Sequence, residues 1–278
     1  MSTSIDTAFV KQYEAEVHEA YQRMGSKLRP WTRTKMITNA KDTTFQIVGR
    51  GTAATKGRHA LVPTMNQSHT NVTCTLTDYY AGDWIDKLDE LKTNIDERSV
   101  VANGGAYALG RKTDELIIAA LDSATTSTVT MATSSAAAFL AKQLEAIEKL
   151  NALDVPDDGQ RYAAVSPRHW SWLMLVKEFA SADYVGDRPY AGTQMKTWLG
   201  VNWMMHSGLS KSGNNRTSHI WHRSAIGHGI GADVQVDITW HGDRAAWFVN
   251  HMMSQGSVLI DGEGTCEMVL DESAALAQ

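Results

Sequence analysis

Cysteine is almost missing from this sequence. Cys74 and Cys266 are the two present, far apart and outside any metal-ligand spacing. A disulfide framework and a zinc ribbon are therefore excluded, and a reduced, cytosolic origin is expected. The opening MSTSIDTAFVKQYEAE has no basic segment followed by an apolar run, so it does not read as a secretory leader. No apolar stretch approaches the roughly 20 residues that span a bilayer. Charge of one sign is lacking as well. A formal net charge of −5 and a pI of about 6.0 argue against a general nucleic-acid binder. Catalytic signatures are missing too. There is no H-E-x-x-H, no G-x-S-x-G elbow and no dinucleotide fingerprint. Gly227, Gly229 and Gly231 alternate with His228 and Ile230, but no lysine follows in phosphate-loop register.

What is present supports a packed protein. Hydrophobic residues make up 43% and charged residues 21%, which excludes wholesale disorder. A length of 278 residues allows one large domain or two ordinary ones. Nine tryptophans and twelve methionines are material for cores and interfaces. Ten histidines raise the question of a metal, and His219, His222 and His228 form the closest group. On a strand, positions 219 and 222 face opposite sides and cannot share an ion without a bulge. No metal, cofactor or catalytic residue is expected. Ser166-Pro167-Arg168-His169 reads as a strand-to-helix cap rather than a nucleophile beside its base. Asp157-Asp158 belongs to a turn, and Asp86, Asp89 and Glu90 to a solvated helix face.

The chain is organised around 94–124. Ile95, Ser99, Ala102, Ala106, Leu109, Leu116, Ile117, Ala120 and Leu121 draw one stripe along a long helix, capped by Asn94 with Asp96 and Glu97 behind it. Leu116, Ile117 and Leu121 are expected to be buried. Gly104-Gly105 within it costs about 1 kcal/mol per glycine relative to alanine, which implies a bend or a close-packed crossing. Before this spine, residues 7–24 form an amphipathic helix ended by Gly25, and DWIDKLDELK (83–92) forms a short helix through Trp84, Ile85, Leu88 and Leu91. Strands are expected at 43–50 and 69–80, the second with Val72, Cys74 and Leu76 on one face. The polar stretch between them makes the pair an extended hairpin, marginal in water unless it lies on another surface. After a Ser/Thr-rich segment at 125–134 comes a helix at 135–153 with Phe139, Leu140, Leu144, Ile147 and Leu150 inward. A strand at 162–166, a helix from Pro167, strands at 196–209, 217–224, 234–240 and 245–252, and a hairpin 257–260/265–270 complete the reading. The fold class is α+β.

Charge is segregated along the chain. Between 27 and 59 stand eight cations (Lys27, Arg29, Arg33, Lys35, Lys41, Arg50, Lys56 and Arg58) against Asp42, a net of +7. Between 78 and 97 stand seven carboxylates against Lys87 and Lys92, a net of −5. The pattern fits an intramolecular or solvated arrangement, or a basic hairpin lying on the acidic region of a second copy with Lys56 and Arg58 meeting Asp86, Asp89 and Glu90.

The order of arm, long basic hairpin, spine helix, inserted α/β part and returning strands resembles the major capsid proteins of tailed bacteriophages, which share the Hong Kong 97 capsid fold. The segments LGVNWMMHSGLSKSGNNRTSHIWHRSAIGHGIG (199–231) and WFVNHMMSQGSVLIDGEG (247–264) carry the resemblance most clearly. It implies an N-terminal arm at 1–32, an extended loop at 33–77, a peripheral domain at 78–134 with 236–278, and an axial domain at 135–235. It also implies self-assembly into pentamers and hexamers of an icosahedral shell around double-stranded DNA, without sequence-specific binding and without a membrane. The implied place is the virion, assembled in the bacterial cytoplasm. The implied partners are a portal, a separate scaffolding protein and a decoration protein. An encapsulin-like cargo compartment is the alternative within the fold. A metal-dependent hydrolase using His219, His222 and His228 is the alternative outside it.

Overall fold

The computed structural model of the protein describes residues 25–90, 97–180 and 195–273. The amphipathic helix expected at 7–24, the cap at Asn94 and the tail beyond Ser273 lie outside them. The chain divides into two compact units. One contains 78–112 and 232–253, and the other contains 26–77, 113–231 and 254–278.

The second unit begins with a short strand β1 (Arg33–Met36), followed by the hairpin β2 (Asp42–Val48) and β3 (His69–Thr75). The hairpin is antiparallel, with Asp42 opposite Thr75 and Val48 opposite His69. Its base is anchored by Phe45 and Cys74, which pack with Ile260. The strand expected to run unbroken to residue 80 breaks at Leu76, whose N–H bonds to Lys41 O at 3.0 Å. A new strand, β4 (Thr77–Asp86), follows at once.

β4 corrects the sequence reading of 83–92. Residues 83–86 are extended, and the helix α1, described over Lys87–Glu90, starts only at Lys87. Trp84 is held as a strand residue by Phe248, 4.5 Å away between ring centroids, and by His241 at 5.0 Å. The Arg244 guanidinium sits 4.4 Å over the Trp84 ring. Leu88, expected to be inward, is 64% exposed. The spine helix α2 runs from Glu97 to Asp122. A Cβ on Gly105 would stand 2.3 Å from His251 Nδ1, so the glycine permits a close-packed crossing. Ile117 and Leu121 are fully buried, whereas Leu116 is only half-buried. The stripe is thus rotated slightly from the expected one and includes the buried Asp114 and Ile118.

After β5 (Thr128–Thr130) comes α3 (Ala136–Ala152), capped by Ser135, whose Oγ accepts from Ala138 N–H at 3.1 Å. Phe139, Ile147 and Leu150 are buried, but Leu144 is 45% exposed. The position beside it, Gln143, faces inward instead and bonds to His169, Nε2 to Nε2, at 2.7 Å. Strand β6 (Arg161–Val165) then enters α4 (Pro167–Leu173), with Ser166 accepting from His169 N–H at 3.1 Å. The expected cap is therefore there, and His169 is a buried core residue. Burial pushes its imidazole down to about 3, so it is neutral.

The remaining elements are α5 (Lys177–Ala180), β7 (Lys196–Trp198), β8 (Val201–Met205), β9 (Lys211–Ser212), β10 (Asn215–His222), β11 (Ile226–His241), β12 (Ala246–Leu259) and β13 (Thr265–Asp271). One sheet has the order β5-β13-β10-β6-β8-β7, with β9 added to β10, and a second has the order β1-β11-β12-β4. Strands β12 and β13 therefore belong to different sheets, and the hairpin expected at 257–260/265–270 does not form. The Asp261-Gly262-Glu263-Gly264 turn is a 3-10 turn that hands the chain from one sheet to the other. The main core packs Phe139, Leu150 and Leu173 against Val165, Trp203, Ile220 and Met268. A second cluster joins Leu28, Ile117 and Leu121 to Trp221 and Ile226.

Candidate assembly surfaces

The alternating glycines of β11 explain how the hairpin is seated. Glycines two residues apart on a strand share one face. A Cβ on Gly227 would stand 2.6 Å from the Phe45 ring, one on Gly229 3.0 Å from Ile37, and one on Gly231 2.6 Å from Leu76. On β12, a Cβ on Gly256 would meet Thr75 O at 2.2 Å. The glycine pattern is a bare backbone shelf on which the base of the hairpin lies, and not a phosphate loop.

Beyond that shelf the hairpin has nothing to pack on among the described residues. Every residue from 51 to 70 is exposed, and 49–68 carries no helix or strand. Leu61, Val62 and Met65 are 94%, 73% and 52% exposed. Lys56 and Arg58 lie in this stretch, with no ion pair or hydrogen bond among the described residues. Arg50 ties the root of the loop down, with Nη2 donating at 2.8 Å to both Leu153 O and Glu263 Oε2. Both partners of its ion pair with Glu263 are well exposed, so the pair is worth only about 0–1 kcal/mol.

Of the acidic partners expected for Lys56 and Arg58, Asp86 is exposed and its Oδ1 accepts from Leu88 N–H at 2.7 Å, starting α1. The side chains of Asp89 and Glu90 lie outside the described residues. The histidines do not converge. His219 Nε2 lies 2.9 Å from Asp122 Oδ1, His222 Nε2 lies 3.1 Å from Asp158 Oδ1, and His228 Nδ1 lies 2.8 Å from Ser257 Oγ.

A buried polar node escaped the sequence reading. Asp114 on α2 accepts from Ser26 Oγ at 2.6 Å and from the N–H groups of Lys27 and Leu28 at 3.0 and 3.1 Å. His206 Nε2 lies 3.0 Å from its other oxygen. Burial alone would raise this carboxyl, but the bonds from His206, Ser26 and the two backbone groups outweigh it and hold the carboxyl below its ordinary value. The signal available in the sequence was the polar pair Thr113-Asp114 interrupting an apolar stripe.

This arrangement presents a well-packed body and a long, exposed, cationic and partly apolar projection. A family model described as phage capsid protein matches residues 5–272. The chain belongs to the phage capsid protein family. Among solved structures, the capsid of the cyanophage P-SCSP1u superposes with a TM-score of 0.80 at 16% identity, covering 97% of this chain and 95% of that one. Mycobacterium phage Che8 gives 0.74 at 17% identity, covering 96% and 98%. The capsid of a native GTA particle gives 0.72 at 13% identity, covering 96% and 97%. No curated protein matches. The fold is the Hong Kong 97-like capsid fold, the role of this capsid protein is structural, and its place is the virion capsid. Neither an encapsulin-like compartment nor a metal-dependent hydrolase is favoured by these matches.

Proposed function

We propose that this capsid protein builds pentamers and hexamers of an icosahedral shell around double-stranded DNA, and that its extended loop is what each copy lays on the next. The observation that carries this reading is the exposed projection at 49–68, with Leu61, Val62 and Met65 left uncovered. Apolar groups so placed gain about 25 cal/mol per Å2 when another surface covers them. Closed symmetry then repeats each modest contact throughout the shell. Lys56 and Arg58 supply the cationic half of that contact, and Asp86, Asp89 and Glu90 of a neighbouring copy the acidic half. In this reading 1–32 is the arm, 33–77 the extended loop, 78–134 with 236–278 the peripheral domain, and 135–235 the axial domain.

Packaged DNA is enclosed without being gripped, which suits a net charge of −5. A portal, a scaffolding protein and a decoration protein complete the partner set, and assembly takes place in the bacterial cytoplasm. Electron microscopy and sedimentation of the expressed chain test the proposal. Capsomers or closed shells are expected, alone or with the scaffolding protein of the same phage. A clean monomer under both conditions would refute it.

A further inference from the structure

Three side chains that no part of the shell reading uses meet at the C-terminal end of α2. The sheet register sets Thr128 of β5 opposite Glu267 of β13, and Glu267 opposite His219 of β10. Asp122, the last residue of α2, brings a second carboxylate to His219. One ligand-capable atom from each of Asp122, His219 and Glu267 lies within 4.8 Å of the other two. The His219 side chain is 1% exposed and that of Asp122 31%, so the group is partly closed yet open to solvent on one side.

The surroundings orient these ligands. Each carboxylate has one oxygen held by a hydroxyl. Ser210 Oγ donates to Asp122 Oδ2, and Thr128 Oγ1 donates to Glu267 Oε2 at 3.3 Å. That is the supporting shell expected of carboxylate metal ligands. Asp122 Oδ1 faces His219 Nε2, and a cation shared by the three side chains would stand between them. His219 Nδ1 is buried without a hydrogen-bond partner, so the ring is held among the described residues by the bond between Nε2 and Asp122 Oδ1, which a cation bound by both atoms would replace. With a neutral imidazole, two carboxylates leave the group at −2, the charge that a divalent cation cancels.

We propose that Asp122, His219 and Glu267 form a divalent-cation site of the zinc class that pins the end of the spine helix to strands β10 and β13. One imidazole with two carboxylates suits zinc, and the nitrogen ligand disfavours magnesium and calcium, which take oxygen alone. Ligand bonds of about 2.0–2.2 Å leave a fourth, solvent-side position for water. The site is structural and independent of how the shell assembles.

The test uses the full-length subunit, stripped with chelator and titrated with zinc chloride by calorimetry, with Glu267→Gln and Asp122→Asn in parallel. The parent is expected to bind a single zinc per chain and to melt at a higher temperature when it does. Each variant should lose at least about 10-fold in zinc affinity and most of that thermal shift. Magnesium chloride should do neither. Glu267→Gln is close to isosteric and Asp122 is partly exposed, and circular dichroism of the metal-free forms confirms that each variant folds. Parent protein that takes up no zinc would overturn the proposal. So would either folded variant that binds zinc as tightly as the parent, since the ion would then sit on other histidines.

Discussion

The seven-stranded sheet and the loop at 49–68 belong to the same compact unit and obey opposite rules. In the sheet, Trp203, Trp221, Ile220 and Val165 are fully buried, and even Arg161 is 1% exposed, with its guanidinium bonded to Asn151 Oδ1 at 2.7 Å and to Pro156 O at 2.9 Å. In the loop no residue from 51 to 68 is even half-buried. The sheet meets its needs within one chain. The loop leaves cations and apolar side chains in water, a state that becomes favourable when a second surface arrives. The difference separates two properties that a capsid subunit must hold apart. In the proposed reading, folding resides in the sheet and its helices, and association in the projection.

Substitutions on the two sides should therefore fail differently. The largest effect is expected at Trp203, whose indole is fully buried in the main core and donates Nε1–H to Trp198 O at 3.1 Å. Trp203→Ala should cost about 3–5 kcal/mol in denaturant unfolding and leave little soluble subunit. A midpoint close to that of the parent would erase the contrast. Next comes the spine. Ile117→Ala should cost about 2–5 kcal/mol and Leu116→Ala clearly less, because Leu116 is only half-buried. Equal losses in thermal melting would mean that the helix face is drawn wrongly.

A smaller effect is expected at Asp114, where the helix holds the segment that leads into β1. Asp114→Asn weakens charge-assisted bonds to Ser26, Leu28 and His206, at about 1.5–3 kcal/mol for such a bond. The sign of its pH dependence follows from the depressed carboxyl. Its stabilisation is fully present above the unfolded aspartate value of about 4 and disappears as pH falls through the lower folded value. Melting profiles of parent and Asp114→Asn should accordingly differ at neutral pH and converge in acid. A gap that widens below pH 4 would contradict the assignment.

What could be read in advance followed the range of the interaction. The cap at Ser166 depends on a residue three positions away, and it is where the sequence puts it. The alternation of Val72, Cys74 and Leu76 needs only a strand. Trp84 depends on Phe248 and His241, more than 150 positions later, and in isolation DWID is as good a helix start as a strand end. Gln143 displaced Leu144 from the interior because its amide reaches His169, an interaction to which helical periodicity is blind. The Asp261–Gly264 turn was visible as a turn, but a turn does not reveal which sheet the next strand joins. The bare shelf of Gly227, Gly229 and Gly231 was visible as a pattern, and its meaning appeared only with Phe45, Ile37 and Leu76 lying on it.

The contrast between body and projection is tested most directly by reversing charge where nothing is packed. Lys56→Glu combined with Arg58→Glu alters two exposed side chains and should shift subunit stability by no more than about 0.5 kcal/mol. Circular dichroism melting of the double variant should overlay that of the parent, while sedimentation and electron microscopy find unassembled subunits where the parent forms shells. The defect should be deepest at low salt, where repulsion from a neighbour's carboxylates is least screened. Shells formed normally by the folded double variant would contradict the account. Loss of the folded subunit would contradict it too, by showing that the loop tip packs on its own chain.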